Sequence, residues 1–359
     1  MLRIGIVGLP QTGKSTLFQI LTKAHGGPAS GRQEARVGVV RVPDARLDRL
    51  SEMFKPQKTV HATIEYIDTP GSVIELARTG VQSQALRELD ALVHVVRAFV
   101  NEAVPLEGGS VDPKRDIENV ELELLLSDLA SVEKRLERLE KDIKKQKSPA
   151  LEKELQTLKT CKAALDKQTP LRELDLGADE LKAIRGFTFL SLKPMLYVLN
   201  LGERDAARAN VADQFASEAG LKQRQRTEVS AICGQVEAEL AEMSDADAAE
   251  FLASYGLKES ATSRLIHASY HLLGLISFFT VGEDECRAWT IHEGATALEA
   301  AGEIHSDIQR GFIRAEVTKY EDLMAAGSFA EARTRATLRL EGKEYVIRDG
   351  EIVHFRHSS

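Results

Sequence analysis

The segment Gly8-Leu-Pro-Gln-Thr-Gly13-Lys14-Ser15 matches GxxxxGK[ST], the pattern of a phosphate-binding loop. An apolar run, Leu2–Val7, precedes it, and a helical pattern over Lys14–Lys23 follows. In that setting Gly8 and Gly13 let the backbone wrap so that N–H groups face phosphate oxygens. The start of the helix adds the positive end of its dipole. Lys14 is expected to reach the β- and γ-phosphates of a nucleotide. Ser15 is expected to ligate Mg2+, whose octahedral shell takes few protein ligands.

Two further constellations lie at strand ends. Asp68-Thr-Pro-Gly71 closes the run Thr63–Asp68. An aspartate there can hold a magnesium-bound water, and a glycine N–H can sense the γ-phosphate. A lone DxxG is common by chance, but at a strand end downstream of a phosphate loop it is a strong signal. Asn200-Leu-Gly-Glu203 closes the strand Met195–Leu199, at the place where guanine-binding GTPases carry Asn-Lys-x-Asp. That aspartate accepts hydrogen bonds from guanine N1–H and N2, and adenine offers neither. Leu201 and Glu203 in place of lysine and aspartate point to relaxed or adenine-preferring selection.

The elements that must position these residues read as an α/β layered fold. Strand signals at Leu2–Val7, Val37–Val42, Thr63–Asp68 and Leu92–Val96 alternate with helix signals, which predicts a mostly parallel sheet. From Ile117 the character changes. Leu122, Leu125, Leu129, Val132, Leu136, Leu139 and Ile143 form a heptad seam. Ser148-Pro149 breaks it, and a second series runs through Leu151, Leu155, Leu158 and Leu165, which predicts a helical hairpin with its first helix over Glu118–Gln146. The hairpin is neutral overall, but Lys141, Lys144, Lys145 and Lys147 against Asp142 make its tip +3. From Phe278 a third region reads as strands Ser277–Thr280 and Ala288–Ile291, a helix Ala297–Ile308, a strand Phe312–Val317, and a hairpin of Thr337–Leu340 with Tyr345–Ile347. Asp349-Gly350 then turns into Ile352–Phe355. That order suggests a small β-grasp-like module.

The chain has 359 residues with 47 basic and 55 acidic side chains, a net charge of −8. Such a balance excludes a wholesale polyanion binder, since the mean field repels phosphate. Any nucleic-acid contact needs a local patch. The hairpin tip is one candidate, and Arg333, Arg335, Arg339, Lys343 and Arg348 offer a second. Cys161, Cys233 and Cys286 contain no CxxC pair, which argues against a zinc ribbon or disulfide scaffold and for a reducing compartment. The longest apolar stretch, Leu272–Val281, is broken by Gly274, Ser277 and Thr280 and falls short of the roughly 20 residues of a membrane span. A cytoplasmic monomer without membrane contact is expected.

The chain resembles the Obg-like ATPases, the YchF subfamily of translation-factor-related P-loop GTPases. The likeness spans the whole sequence and rests on specific segments. They are Gly8-Leu-Pro-x-x-Gly-Lys-Ser-Thr-Leu-Phe18, Val42-Pro-Asp-x-Arg-Leu47, His94-Val-Val-Arg97, Val111-Asp-Pro-x-Arg-Asp-Ile-Glu118 and Asn200-x-x-Glu203. In the tail, Arg287-Ala-Trp-Thr290, Ala300-Ala-Gly-x-Ile-His305 and Gly311-Phe-Ile-Arg-Ala315 are similar to the family's TGS domain. The resemblance implies a G domain over 1–277, a helical coiled-coil domain inserted at 118–190, and a TGS domain over 278–356. It implies ATP or GTP as ligand with Mg2+, slow hydrolysis, and association with ribosomes or RNA. Gly8, Gln11, Thr12, Gly13, Lys14, Ser15 and Thr16 carry over as the phosphate loop, and Asn200 and Glu203 as base-recognition positions. Lys14, Asp68 and Gly71 carry over to the chemistry, and Ser15 and Asp68 to the metal.

The departures from the family are equally specific. Arg32 and Arg36 stand where its first switch has threonine and asparagine, and Gln11 replaces a loop asparagine. The second switch, Ser72–Gly80, is shorter and less glycine-rich. Leu106 stands where the family has a histidine, and leucine can neither orient nor deprotonate water. Two functions therefore compete: a slow NTPase, and a nucleotide-sensing scaffold that hardly turns over. A metabolic kinase fits the phosphate loop alone, and the two strand-end motifs argue against it. His94 reads as a packed core histidine, Trp289 as a core residue of the tail, and His305 as part of a helix.

Overall fold

The N-terminal apolar run becomes strand β1 (Arg3–Val7), buried at four of its five residues. Burial on both faces is what a central parallel strand requires. The computed structural model describes residues 2–22, 35–69, 85–101, 109–145, 148–205, 211–254, 257 and 259–358. In it, β1 pairs in parallel with β4 (Thr63–Asp68) and β5 (Ala91–Ala98). Strands β6 (Met195–Leu201) and β7 (Thr227–Ile232) extend the sheet in parallel, and β2 (Arg36–Arg41) lies beyond β4. The order is β2-β4-β1-β5-β6-β7. The reversal of strand order beside β1 puts the carboxyl ends of β1 and β5 at a switch point, where open α/β sheets bind ligands.

The chain forms two compact units. One comprises residues 1–40 with 65–268, and the other 41–64 with 269–359. In the first, β5 and β6 pack against a helix over Pro113–Lys145, with Val96, Val120, Leu124, Tyr197 and Leu199 in one core. This helix of 33 residues is about 50 Å long at 1.5 Å per residue. It starts before the expected Glu118. A second helix, Pro149–Leu165, returns along it with proline at its first turn, as the Ser-Pro break predicted. Leu125, Val132 and Leu139 are buried in the seam, with Leu129, Leu136 and Ile143 packed beside them. Leu122 is 40% exposed and drops out of the seam. At that level the helix turns Val120, Glu121 and Leu124 inward to the sheet instead.

Polar groups fix the base of the hairpin. Glu121 Oε1 accepts from Arg172 Nη2 and from Tyr197 OH, each at 2.7 Å, with all three side chains buried. Asp128, wholly buried, accepts from the backbone N–H of Leu190 (2.9 Å) and Ser191 (2.7 Å) and from the Ser191 hydroxyl (2.7 Å). Burial pushes the Asp128 carboxyl up, and these bonds oppose the shift. At the tip, Lys141, Lys144 and Lys145 are exposed, while Asp142 faces Arg135 at 3.5 Å. Lys147 and Gln146 lie outside the described residues.

The second unit is a sheet of six strands ordered β11-β10-β12-β8-β9-β3. They are β3 (Lys58–Val60), β8 (Leu275–Val281), β9 (Glu285–His292), β10 (Phe312–Thr318), β11 (Arg339–Glu341) and β12 (Ile352–His357). The antiparallel pair β8–β9 and the parallel placing of β12 beside β8 agree with a β-grasp-like module. The helix Ala297–Ile304 buries Ala297, Ala300 and Ala301, its N-terminus closed by a Thr296–Glu299 capping box.

Several details differ from the sequence-based expectation. Residues 41–64 belong with this unit, because β3 pairs with β9 and the helix Ala45–Phe54 buries Leu47 and Leu50 here. These residues lie inside the span 1–277 expected for the G domain, and β8 begins at Leu275, before the expected boundary at 278. The expected helix Ala297–Ile308 breaks at His305, whose extended backbone and Nδ1 cap a second short helix, Ser306–Arg310. Two further helices, Tyr320–Ala326 and Phe329–Thr334, occupy a stretch with no expected element. Residues 345–347 form only a bridge from Val346 to Thr296. Three residues of the expected basic face have acidic partners. Arg333 pairs with Glu316, Arg335 with Glu331, and Arg339 with Glu351. Trp289 is partly buried, stacked on Phe278 and donating to Thr280 Oγ1 at 2.9 Å.

His94 lies in β5, wholly buried beside the Tyr197 ring, and its Nδ1 has no partner among the described residues. Burial lowers its pKa to about 4. The unfolded chain titrates near 6.5, so protons bind the unfolded state first as the pH falls. Above pH 6.5 neither state takes up the proton, and stability drops between pH 6.5 and 4 by about 3 kcal/mol. Denaturation across that range should show a steeper pH dependence of stability in the wild type than in His94→Leu. Glu121→Ala should destabilise the first unit by about 3–5 kcal/mol, because it strands the Arg172 charge. The pair Glu121→Leu with Arg172→Met should recover most of the loss in far-UV denaturation curves.

Candidate functional site

The phosphate loop joins β1 to the helix Lys14–Thr22. Its turn needs glycine at two places. Gly8 has φ +150, and a Cβ there would lie 2.5 Å from the Val95 carbonyl oxygen. Gly13 has φ +98, and a Cβ would lie 2.3 Å from Asn200 Nδ2. Between them Gln11 takes a left-handed φ of 60 with its side chain exposed, and buried Thr12 donates to Leu9 O at 3.1 Å. The Lys14 ammonium folds into the loop and donates to Leu9 O (2.7 Å) and Gly8 O (3.2 Å). Ser15 and Thr16 are exposed at the helix start.

Strand β4 delivers Asp68 to the same place. Ser15 Oγ donates to Asp68 Oδ2 at 3.2 Å, so the residues separated in sequence meet as the spacing predicted. Asp68 is buried, 6% exposed. Next to it Thr69 donates its hydroxyl to Ile6 O at 2.7 Å, which ties the end of β4 to β1. A hydroxyl and a buried carboxylate side by side are hard oxygen donors that suit a divalent cation. The carboxylate already draws a cation: Arg36 Nε donates to Asp68 Oδ2 at 3.1 Å, and Arg36 Nη2 reaches the same oxygen. Arg36 stood out in the sequence only as a departure in the first switch, with no partner assigned.

On the far side of the loop, β6 supplies Asn200. Its Nδ2 donates to Thr12 O (3.0 Å), and its Oδ1 accepts from the Gly234 N–H (3.2 Å). Both ends of the amide are thus held by protein. Asn200 ties the phosphate loop to the helix Gly234–Glu242. Glu203, exposed in a single helical turn after β6, lies 3.5 Å from Gln235 Nε2. Gly234 and Gln235 were not anticipated. The strand end Thr227–Ile232 next to Asn200-x-x-Glu203 was the available signal. Gly71, Arg32, Leu106 and Ser72–Gly80 lie outside the described residues. No group of three or more histidine, cysteine or acidic residues with metal-binding geometry occurs among the described residues.

Comparison with known proteins gives the family to which this fold belongs. A family model described as a 50S ribosome-binding GTPase matches residues 3–148. The YchF-GTPase C-terminal model, described as a protein of unknown function (DUF933), matches residues 275–358. The ribosome-binding ATPase YchF of Bacillus subtilis is 41% identical over 99% of both chains. That of Escherichia coli O157:H7 is 41% identical over 98% of both. The solved YchF GTPase of Schizosaccharomyces pombe superposes with a TM-score of 0.83 at 31% identity, covering 99% of this chain and 97% of its own. The chain belongs to the YchF family of P-loop GTPases and ATPases.

Proposed function

We propose that this chain is a cytoplasmic ribosome-associated NTPase that binds ATP or GTP with Mg2+ and hydrolyses it slowly. The observation that carries the reading is the meeting of Ser15 and Asp68 beneath the glycine-held loop. Its relatives are named ribosome-binding ATPases, and no helix among the described residues is long and apolar enough to cross a membrane.

Each residue has a role set by its position. Gly8, Gln11, Thr12, Gly13 and Thr16 shape the loop around the phosphates. Lys14 leaves the carbonyls of Gly8 and Leu9 and places its charge on the β- and γ-phosphates. Ser15 and Asp68 would hold Mg2+, which when bound would neutralise phosphate charge. Gly71, just past Asp68, would report the γ-phosphate. Asn200 positions the loop through Thr12 O and the Gly234 N–H and keeps a second Nδ2 hydrogen and an Oδ1 lone pair for the base. Glu203, beside Gln235, faces the base with it. Phosphoryl transfer needs positioning and electrostatics more than covalent participation, so slow turnover can persist with leucine at position 106.

The domain reading is an Obg-type G domain, a helical insertion over 118–190, and a TGS module whose sheet takes in residues 41–64. The exposed lysines 141, 144 and 145 at the hairpin tip are the proposed contact with ribosomal RNA. The chain acts there as a monomer.

The pairing of Arg36 with Asp68 favours a second reading, the scaffold that binds nucleotide without turnover. Single-turnover assays with Mg2+, with and without ribosomes, separate the two. Phosphate release that Asp68→Ala abolishes rejects the scaffold. Lys14→Ala should weaken ATP or GTP binding at least a hundredfold, about 2.7 kcal/mol in calorimetric titration. Unchanged affinity would remove the phosphate loop from the function.

A further inference from the structure

Arg36 enters the site from the edge strand β2, and its guanidinium lies 5.0 Å over the Phe18 ring. Through Nε and Nη2 it addresses one oxygen, Asp68 Oδ2. Ser15 Oγ donates to that same oxygen. The arginine therefore stands on the oxygen shared by the two residues that would hold the metal. Their exposures differ. The Arg36 side chain is 37% exposed and that of Asp68 only 7%. The guanidinium can turn out to solvent, whereas the carboxylate is fixed at the end of its strand.

We infer that Arg36 is a built-in competitor for the metal. It neutralises Asp68 when no divalent cation is present, and Mg2+ has to displace it. This rests on the nucleotide-site reading above. A buried carboxylate needs a counter-charge. With Arg36 Nε, Arg36 Nη2 and Ser15 Oγ all on Asp68 Oδ2, the guanidinium occupies the position that a divalent cation or its bound water would take on that oxygen. The apparent affinity for Mg2+ then falls by the fraction of time the arginine is away. Nucleotide binding and metal binding become separable steps, and free Mg2+ concentration sets how much of the nucleotide complex carries metal. Arg36 here is a positioning residue that acts through Asp68.

The test uses the full chain saturated with a non-hydrolysable ATP analogue. Mg2+ is titrated by calorimetry, and Mn2+ by the loss of its free-ion electron paramagnetic resonance signal. Arg36→Gln should lower the half-saturating metal concentration by about tenfold or more, the factor for losing one charge-assisted competitor. Arg36→Lys should stay near the wild type. Should Arg36→Gln not fold, Arg36→Met supplies an uncharged side chain with an unbranched apolar stem and gives the same comparison. Equal half-saturation in the wild type and the neutral variant, with the analogue still bound, overturns the competition alone. No analogue binding to the wild type, with metal or in chelator, overturns the nucleotide-site reading and the competition together.

Discussion

A buried carboxylate must be compensated, and the site is arranged around that requirement at Asp68. The aspartate ends β4 in the interior of the sheet, where an isolated charge is costly. Ser15 gives it a hydroxyl and Arg36 a guanidinium. Thr69 locks the strand end that carries it. The phosphate loop is fixed at its own two ends by close approaches, Gly8 against β5 and Gly13 against Asn200. The residues proposed to meet phosphate, metal and base thus come from four strand ends held in register by one sheet. Each of the two glycines leaves space that a single added carbon would fill.

The hairpin follows the same logic at larger scale. Its outer half is a leucine seam, which needs only spacing to form. Its base is polar, and there each buried charge has a named partner: Arg172 for Glu121, and the Ser191 and Leu190 amides for Asp128. Such buried pairs add little net stability compared with apolar packing. They do fix one orientation of the long helix on the sheet.

What was legible in the sequence was whatever is fixed by local spacing. The loop glycines, Lys14, Ser15 and Asp68 fell where the pattern put them. So did the heptad seam from Leu125 and the Ser-Pro break. What was not legible depended on partners far along the chain. Leu122 has seam spacing but leaves the seam, because the sheet competes for that turn of the helix. Residues 41–64 have ordinary strand and helix patterns, and nothing local says which sheet they join. Arg36 looked like a lost switch residue, since a pairing across 32 positions leaves no periodic trace. The arginines of the tail read as one basic face by spacing. Tertiary carboxylates such as Glu316 and Glu351 divide them.

The excursion of residues 41–64 has a consequence for the order of events in the cell. This segment is made early, yet its sheet partners begin with β8 at Leu275, more than 200 residues later. At roughly 5–20 residues per second, that leaves the apolar face of Leu47 and Leu50 uncovered for on the order of 10–40 s during synthesis. The first sheet must meanwhile place β2 and β4 on either side of an unfinished loop. A fragment starting at residue 275 would reproduce the missing half of the problem, a sheet lacking its edge strand and one covering helix.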